Sequence, residues 1–356
     1  MKNTPLHTLH LQFGARMGEF GGWDMPIQYA GILQEHEQTR TNASVFDICH
    51  MGEFELSGET ALLDLEKLLT CNIQTLDIGQ VRYGFMLNSD GGTIDDLTCY
   101  RMDLDRFMLV VNAGTAEKDA EWIKKNISPS TTFTDLSPEI AKLDVQGPKS
   151  REVVENILGS KLSDLGYFRF QTLENGWIIS RTGYTGEWGY EIYLPNNAAS
   201  ALWDDLTAHD LCEPGGLGAR DTLRLEMGYS LYGHELSEAR TPAVTSCGMF
   251  INMKKDFIGK ENVAADLDEP EYLLVGLKFN SKRAAREHDK IYFEEIEIGE
   301  ITSGSVAPSL GHAVAMAFIE PEFSEIGRIV YVEIRNKKFP AEVVNLPFYK
   351  DGTARG

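Results

Sequence analysis

Paired cysteines are missing from this chain. Its five, Cys49, Cys71, Cys99, Cys212 and Cys247, are dispersed over 356 residues with no CxxC pair. That excludes a disulfide scaffold and suits reduced thiols in a cytosol. Positive charge is also short: 33 lysines and arginines stand against 54 acidic residues, a net charge of −21. No basic stripe exists to follow nucleic-acid phosphates, and anionic membranes are disfavoured. No run of about 20 apolar residues occurs, and the opening Met1-Lys-Asn-Thr-Pro-Leu-His7 has no apolar signal core. The expectation is a cytoplasmic protein with neither membrane nor nucleic acid as partner. His-Glu-x-x-His and Gly-x-Ser-x-Gly are both absent, and His36, His50 and His234 are scattered. Neither a metal site nor a hydrolase elbow is expected.

What is present starts with a hairpin over 83–100. Two runs rich in aromatic, apolar and β-branched residues flank Asn88-Ser-Asp-Gly-Gly92, a cluster that tolerates tight-turn dihedrals. Asp95 and Asp96 fall inside the second strand, where aspartate is depleted. Side chains alternate across a strand, so Asp95 goes with Leu97 and Cys99, and Asp96 with Ile94, Thr98 and Tyr100. One of the two carboxylates should lie against an enclosed, aromatic-rich face, where it needs hydrogen bonds or a counter-charge. It serves there either as a structural tie or as a site acid/base.

Hydrophobic residues make up 42% of the chain and charged residues 24%, and the length fits two or three domains. Periodicity predicts helices over 31–44, 57–69, 116–125, 150–158 and 198–209, and strands at 53–57, 106–112 and 140–148. Residues 20–29 read as a Gly/Pro-punctuated loop. A second hairpin is expected from 177–181 and 189–194. A glycine turn at 215–218 leads into a helix, and acidic 266–270 reads as a linker. From 273 onward, short alternating runs at 273–279, 290–293, 299–303, 313–318, 329–334 and 338–344 predict a small β-barrel. The order of elements within 51–137 suggests an α+β unit of ferredoxin-like character. Arg220 and Arg224, four apart on the helix after the glycine turn, read either as salt-bridging residues or as an anion clamp. Tyr83, Tyr100, Tyr184, Tyr190, Tyr229 and Tyr232 lie near glycine turns or carboxylates. With Asp96, Glu191 and Arg220 they would line a cleft for a flat, carboxylated heteroaromatic ligand.

Several longer stretches are more specific. They include Gly21-Gly-Trp-Asp-Met-Pro-Ile-Gln-Tyr29, Gly91-Gly-Thr-Ile-Asp-Asp-Leu97, Leu143-Asp-Val-Gln-Gly-Pro148, Ser180-Arg-Thr-Gly-Tyr-Thr-Gly-Glu187, Gly216-Leu-Gly-Ala-Arg-Asp-Thr-Leu-Arg-Leu-Glu226, Asp256-Phe-Ile-Gly-Lys260 and Leu346-Pro-Phe-Tyr-Lys350. Taken in order along nearly the whole chain, the sequence resembles the glycine cleavage system T-protein family, the tetrahydrofolate-dependent aminomethyltransferases. The resemblance implies an α+β fold of three domains in a clover around a folate channel. Residues 1–50 with 138–268 would form an α/β folate-binding domain, 51–137 a ferredoxin-like insertion, and 272–356 the C-terminal β-barrel.

It also implies tetrahydrofolate as co-substrate and a lipoyl group carried by a partner H-protein. Asp96 matches the family's key acid. Met51, Tyr83, Asn112, Tyr184, Glu191, Arg220 and Tyr229 match its folate-lining positions, with Glu191 and Tyr229 at the pterin end. Asp95 is left as the structural partner. Residues 243–248, 282–288 and 304–308 differ from the usual pattern, at the channel rim and the H-protein contact. Two other readings are a folate-dependent demethylase of the same fold and a non-catalytic folate-binding accessory protein. The latter looks for Lys-Gly-Cys-Tyr-x-Gly-Gln-Glu, where this chain has Lys255-Asp-Phe-Ile-Gly-Lys-Glu261.

Overall fold

The computed structural model describes all 356 residues. Two sheets and a barrel carry the chain. The first sheet has six strands in the order Phe170–Thr172, Ile178–Ser180, Gly189–Pro195, Ile140–Gln146, Ala43–Asp47 and Cys212–Gly215. Only the last pair is parallel. Alternation decides its two faces. Val45, Leu143, Val145, Tyr190 and Ile192 point into a core shared with Val153 and Val154 of helix Ser150–Leu158 and with Leu202, Trp203 and Leu206 of helix Ala199–Thr207. Phe46 and Ile48 face the other way and meet Ala219 and Leu223 of helix Leu217–Glu226.

The second sheet has five strands, all antiparallel, in the order Val81–Leu87, Thr93–Asp103, Arg106–Val111, Gly52–Ser57 and Thr132–Asp135. Helices Ala61–Leu68 and Ala116–Asn126 cover one face through Leu65, Leu68 and Ile123 against Phe54, Leu97, Cys99 and Leu109. Three strands lie between the helices, one more than in the βαββαβ pattern of a ferredoxin-like unit. On the opposite face Val81, Tyr100, Met108 and Val110 pack against Phe170 and Tyr193 of the first sheet. The helix-free side of the second sheet therefore faces the side of the first sheet that also holds helix Leu217–Glu226.

The six runs expected after 273 all form strands, and they close into an antiparallel barrel, Leu273–Phe279, His312–Ile319, Ile296–Ala307, Lys290–Phe293, Ile329–Ile334 and Lys337–Val344. Closure leaves no open edge. The barrel's Ala307, Val314 and Met316 rest on Leu225, so helix Leu217–Glu226 is wedged between the first sheet and the barrel. No helix is long and apolar enough to cross a membrane.

Three local expectations need correction. Residues 20–29 are not a loop: Arg16–Phe20 and Trp23–Gln28 form a two-stranded hairpin. Gly21 and Gly22 turn it with positive φ, a conformation that hid strand propensity behind two glycines. The acidic 266–270 stretch is not simply a linker, because helix Lys260–Asp268 runs into it. Ile94 does not share the face of Asp96. A bulge, with Met86 paired to Asp95 and Leu87 to Thr93, breaks the alternation and turns Ile94 to the helix side.

The 83–100 hairpin is held at its tip. Asn88 Oδ1 accepts from the backbone N–H of Asp90 and Gly92, and Thr93 N donates to the carbonyls of Ser237 and Arg240. A Cβ at Gly92 would stand 1.8 Å from the Glu238 carbonyl oxygen. Gly92→Ala is expected to cost about 1–3 kcal/mol through this overpacking. Urea unfolding should show a lower midpoint at an unchanged slope.

Candidate active site

The facing sides of the two sheets, closed by the barrel, enclose a cavity of about 690 Å³. Asp96 lies on one wall. Register places Tyr83 opposite Thr98 and Phe85 opposite Asp96, so Tyr83 and Asp96 are diagonal neighbours on one face. Tyr83 Oη donates to Asp96 Oδ2 at 2.9 Å, and Asn112 Nδ2 donates to Oδ1 at 2.9 Å. The same amide reaches Asp95 Oδ1 at 2.8 Å, while the Asn112 backbone N–H donates to Asp95 Oδ2 at 2.9 Å. Asn112, just past the end of strand Arg106–Val111, thus clamps both aspartates.

Asp95 points to the helices, where it meets Asp119 in the first turn of Ala116–Asn126. Burial and the charge of Asp95 push Asp119 up to about 10, so it stays protonated beside Asp95. Burial and the neighbouring Asp95 push Asp96 up to about 7, against the lowering effect of the Tyr83 and Asn112 hydrogen bonds. A carboxyl poised there can take or give a proton near neutrality.

The far end of the cavity carries alternating charges. Lys142 and Asp144 stand two apart on Ile140–Gln146, and Glu191 pairs directly across from Asp144. Opposed acids need counter-charges. Arg220 Nη1 binds Asp144 Oδ2 at 2.5 Å, and Lys142 Nζ lies 3.6 Å from Glu191 Oε1. Burial raises Glu191, but the Lys142 charge and the Thr182 hydroxyl outweigh it and hold the carboxyl below the usual range. His50 borders the cavity and stays neutral at pH 7, its pKa pushed down to about 4 by burial. Tyr184 spans the middle, donating to the Ser230 carbonyl, with the Arg220 guanidinium 5.3 Å from its ring centroid.

Comparison with known proteins decides the lineage. Residues 6–255 match the family model of the GCVT N-terminal domain, and residues 273–350 that of the glycine cleavage T-protein C-terminal barrel domain. This chain belongs to the glycine cleavage T-protein family. An aminomethyltransferase of Listeria monocytogenes is 41% identical over 356 residues, with 98% of each chain covered. One from Bacillus mycoides is 37% identical over 360 residues, again with 98% of each covered. The solved glycine cleavage system aminomethyltransferase T from Bartonella henselae superposes with a TM-score of 0.95 at 35% identity, over 99% of both chains.

Of the eight residues carried over from the T-protein resemblance, Met51, Tyr83, Asp96, Asn112, Tyr184, Glu191 and Arg220 line the one cavity. Tyr229 does not. It stacks behind Tyr184, ring centroids 5.7 Å apart, and reaches the cavity only through that ring. The anion clamp also fails. Arg220 is taken by Asp144, and Arg224 by Asp221, Glu235 and Ser303, so the two guanidiniums share no anion and each is neutralised separately. Sequence reasoning passed over Lys142, Asp144 and Asp119. The first two carried the same signal as Asp95 and Asp96, charged residues inside an otherwise apolar strand.

The position of Asp96 has a pH signature. Its carboxyl titrates near 7 in the fold, against about 3.9 in the unfolded chain. A raised carboxyl pKa means the stability is fully present below about pH 4 and is lost as pH rises toward 7. Asp96→Asn removes that ionisation. Its melting temperature minus that of the wild type should therefore rise between pH 4 and 7 and level off above. A difference that stays constant across this range contradicts the assignment.

Proposed function

We propose that this chain is the tetrahydrofolate-dependent aminomethyltransferase of a glycine cleavage system. It would release ammonia from an aminomethyl group carried on the lipoyl sulfur of a partner H-protein, with methylenetetrahydrofolate as product. The observation that carries the reading is Asp96, a half-buried cavity carboxyl held near pKa 7 and clamped by Tyr83 and Asn112. The residues suit the folate: the cavity volume lies in the range that holds such ligands, with aromatic walls and few oriented polar groups. At one end, a buried carboxylate oxygen and a buried ammonium lie side by side with little to bind in the protein.

Tetrahydrofolate supplies two amine nitrogens that bond to the transferred carbon, and their two protons end one on ammonia and one on the lipoyl thiol. Asp96 orients an amine and accepts its proton, a contribution of about 10²–10⁴ in rate. Its ionised form stabilises positive charge on the carbon as ammonia departs. Asn112 and Tyr83 fix the carboxylate's rotamer, and Asn112 holds Asp95 beside it. Met51, Tyr184 and Arg220 shape the channel between Asp96 and Glu191, and Tyr229 backs Tyr184. On this reading 1–50 with 138–268 form the folate-binding unit, 51–137 the insertion that brings Asp96, and 272–356 the barrel. A cytoplasmic site for the reaction is supported by five cysteines that are all unpaired.

The test is turnover of aminomethylated H-protein with tetrahydrofolate, beside Asp96→Asn. Folate affinity should stay within a few-fold while turnover falls by about 10²–10⁴. Full turnover in the variant sinks the role of Asp96. Inertness toward H-protein together with folate-dependent demethylation hands the chain to the demethylase reading.

A further inference from the structure

Lys142 is a lysine in an unusual position. It is 1% exposed, on a central strand whose other face is the main apolar core. Its ammonium borders the cavity. An ammonium has three donors, and burying one without acceptors is costly. Lys142 nevertheless has no oxygen within hydrogen-bond distance. Its one hydrogen bond runs to the thioether of Met51 at 3.6 Å, a weak acceptor, and Glu191 Oε1 is equally far, beyond the 2.7–2.9 Å of a closed ammonium–carboxylate bond.

Two neighbours show that a tighter arrangement is within reach of this fold. Asp144, two residues along, closes on Arg220 at 2.5 Å. Lys255, also largely buried, meets the carbonyls of Glu66 and Leu69 and the Glu66 carboxylate. Glu53 does not offer Lys142 a second anion, since burial pushes its carboxyl up to about 8.

Glu191 is lopsided in the complementary way. Its Oε2 accepts from Thr182 at 2.7 Å and from the Tyr100 and Tyr193 hydroxyls at 3.2 Å each. No hydrogen bond reaches Oε1. The cavity end thus presents one free acceptor and one free cationic donor side by side, 3.6 Å apart. Their chemical complement is the edge of a flat ring with an N–H next to a C=O, a lactam edge.

We propose that Lys142 and Oε1 of Glu191 together read the lactam edge of the pterin ring. Oε1 takes the ring N–H and Lys142 donates to the 4-oxo group, so Lys142 sets a preference for 4-oxo over 4-amino pterins. The inference rests on the folate reading above. A 4-amino pterin turns N–H donors toward the ammonium and has no hydrogen on the adjacent ring nitrogen, so Lys142 loses its acceptor and Oε1 its ring donor.

The test is binding, without turnover. Dissociation constants for folic acid and its 4-amino analogue aminopterin are measured by calorimetry with the wild type, Lys142→Met and Lys142→Gln. The wild type should favour folic acid by about 10–100-fold. In Lys142→Met that ratio should shrink by about tenfold or more, with Lys142→Gln, which keeps a neutral donor, in between.

A lysine that merely neutralises Glu191 predicts equal weakening of both ligands; an unchanged ratio in Lys142→Met overturns the proposal. Equal wild-type affinities overturn it as well, and that measurement needs no variant to fold. Wild type that binds neither probe nor tetrahydrofolate brings down the folate reading and this inference with it. Wild type that binds tetrahydrofolate but fails to discriminate brings down the inference alone.

Discussion

The structure turns on carboxylates held at the wall of one cavity and just behind it. Asp96 and Glu191 line the cavity and Asp95 and Asp144 stand next to them, and each would revert to neutrality or destabilise the fold if left without partners. Every one is met by a group from another element. Asn112 comes from the end of a neighbouring strand, Arg220 from the wedged helix, Lys142 from the central strand, and Tyr100 from the opposite sheet. The arrangement of sheets, helix and barrel can be read as what brings these donors to those acids.

Unequal satisfaction separates structure from chemistry within that set. Burial raises the Asp95 carboxyl, and the two Asn112 hydrogen bonds work against that rise. Burial, with the charge of Asp95, lifts Asp96 toward neutrality, where a proton is cheapest to exchange. At the other end the Asp144–Arg220 pair is closed, and the Glu191–Lys142 pair stands open at the cavity.

Much of this was legible along the chain, wherever a signal is local. The turn at Asn88–Gly92, the charged residues in the following strand, and the six short runs of the barrel are all written in period-2 alternation and turn chemistry. Local rules failed where one residue shifts a pattern or two glycines mask one. The bulge at Ile94 and the hairpin around Gly21–Gly22 are such cases. The four-residue spacing of Arg220 and Arg224 gave a common side but no partner, since their partners come from Asp144 and Glu235 far along the chain.

By itself the sequence determined the barrel, most of the strands and the family, and it marked Asp95 and Asp96 as out of place inside a strand. Only the tertiary structure decided that Asp96 and Glu191 share one cavity, that Tyr229 stands behind its wall, and that Lys142 reaches into it with only the Met51 thioether as hydrogen-bond acceptor. The reason is physical. Alternation says which side of its own sheet a residue takes, but which two sides meet, and how far apart two buried charges stop, depends on how whole sheets pack.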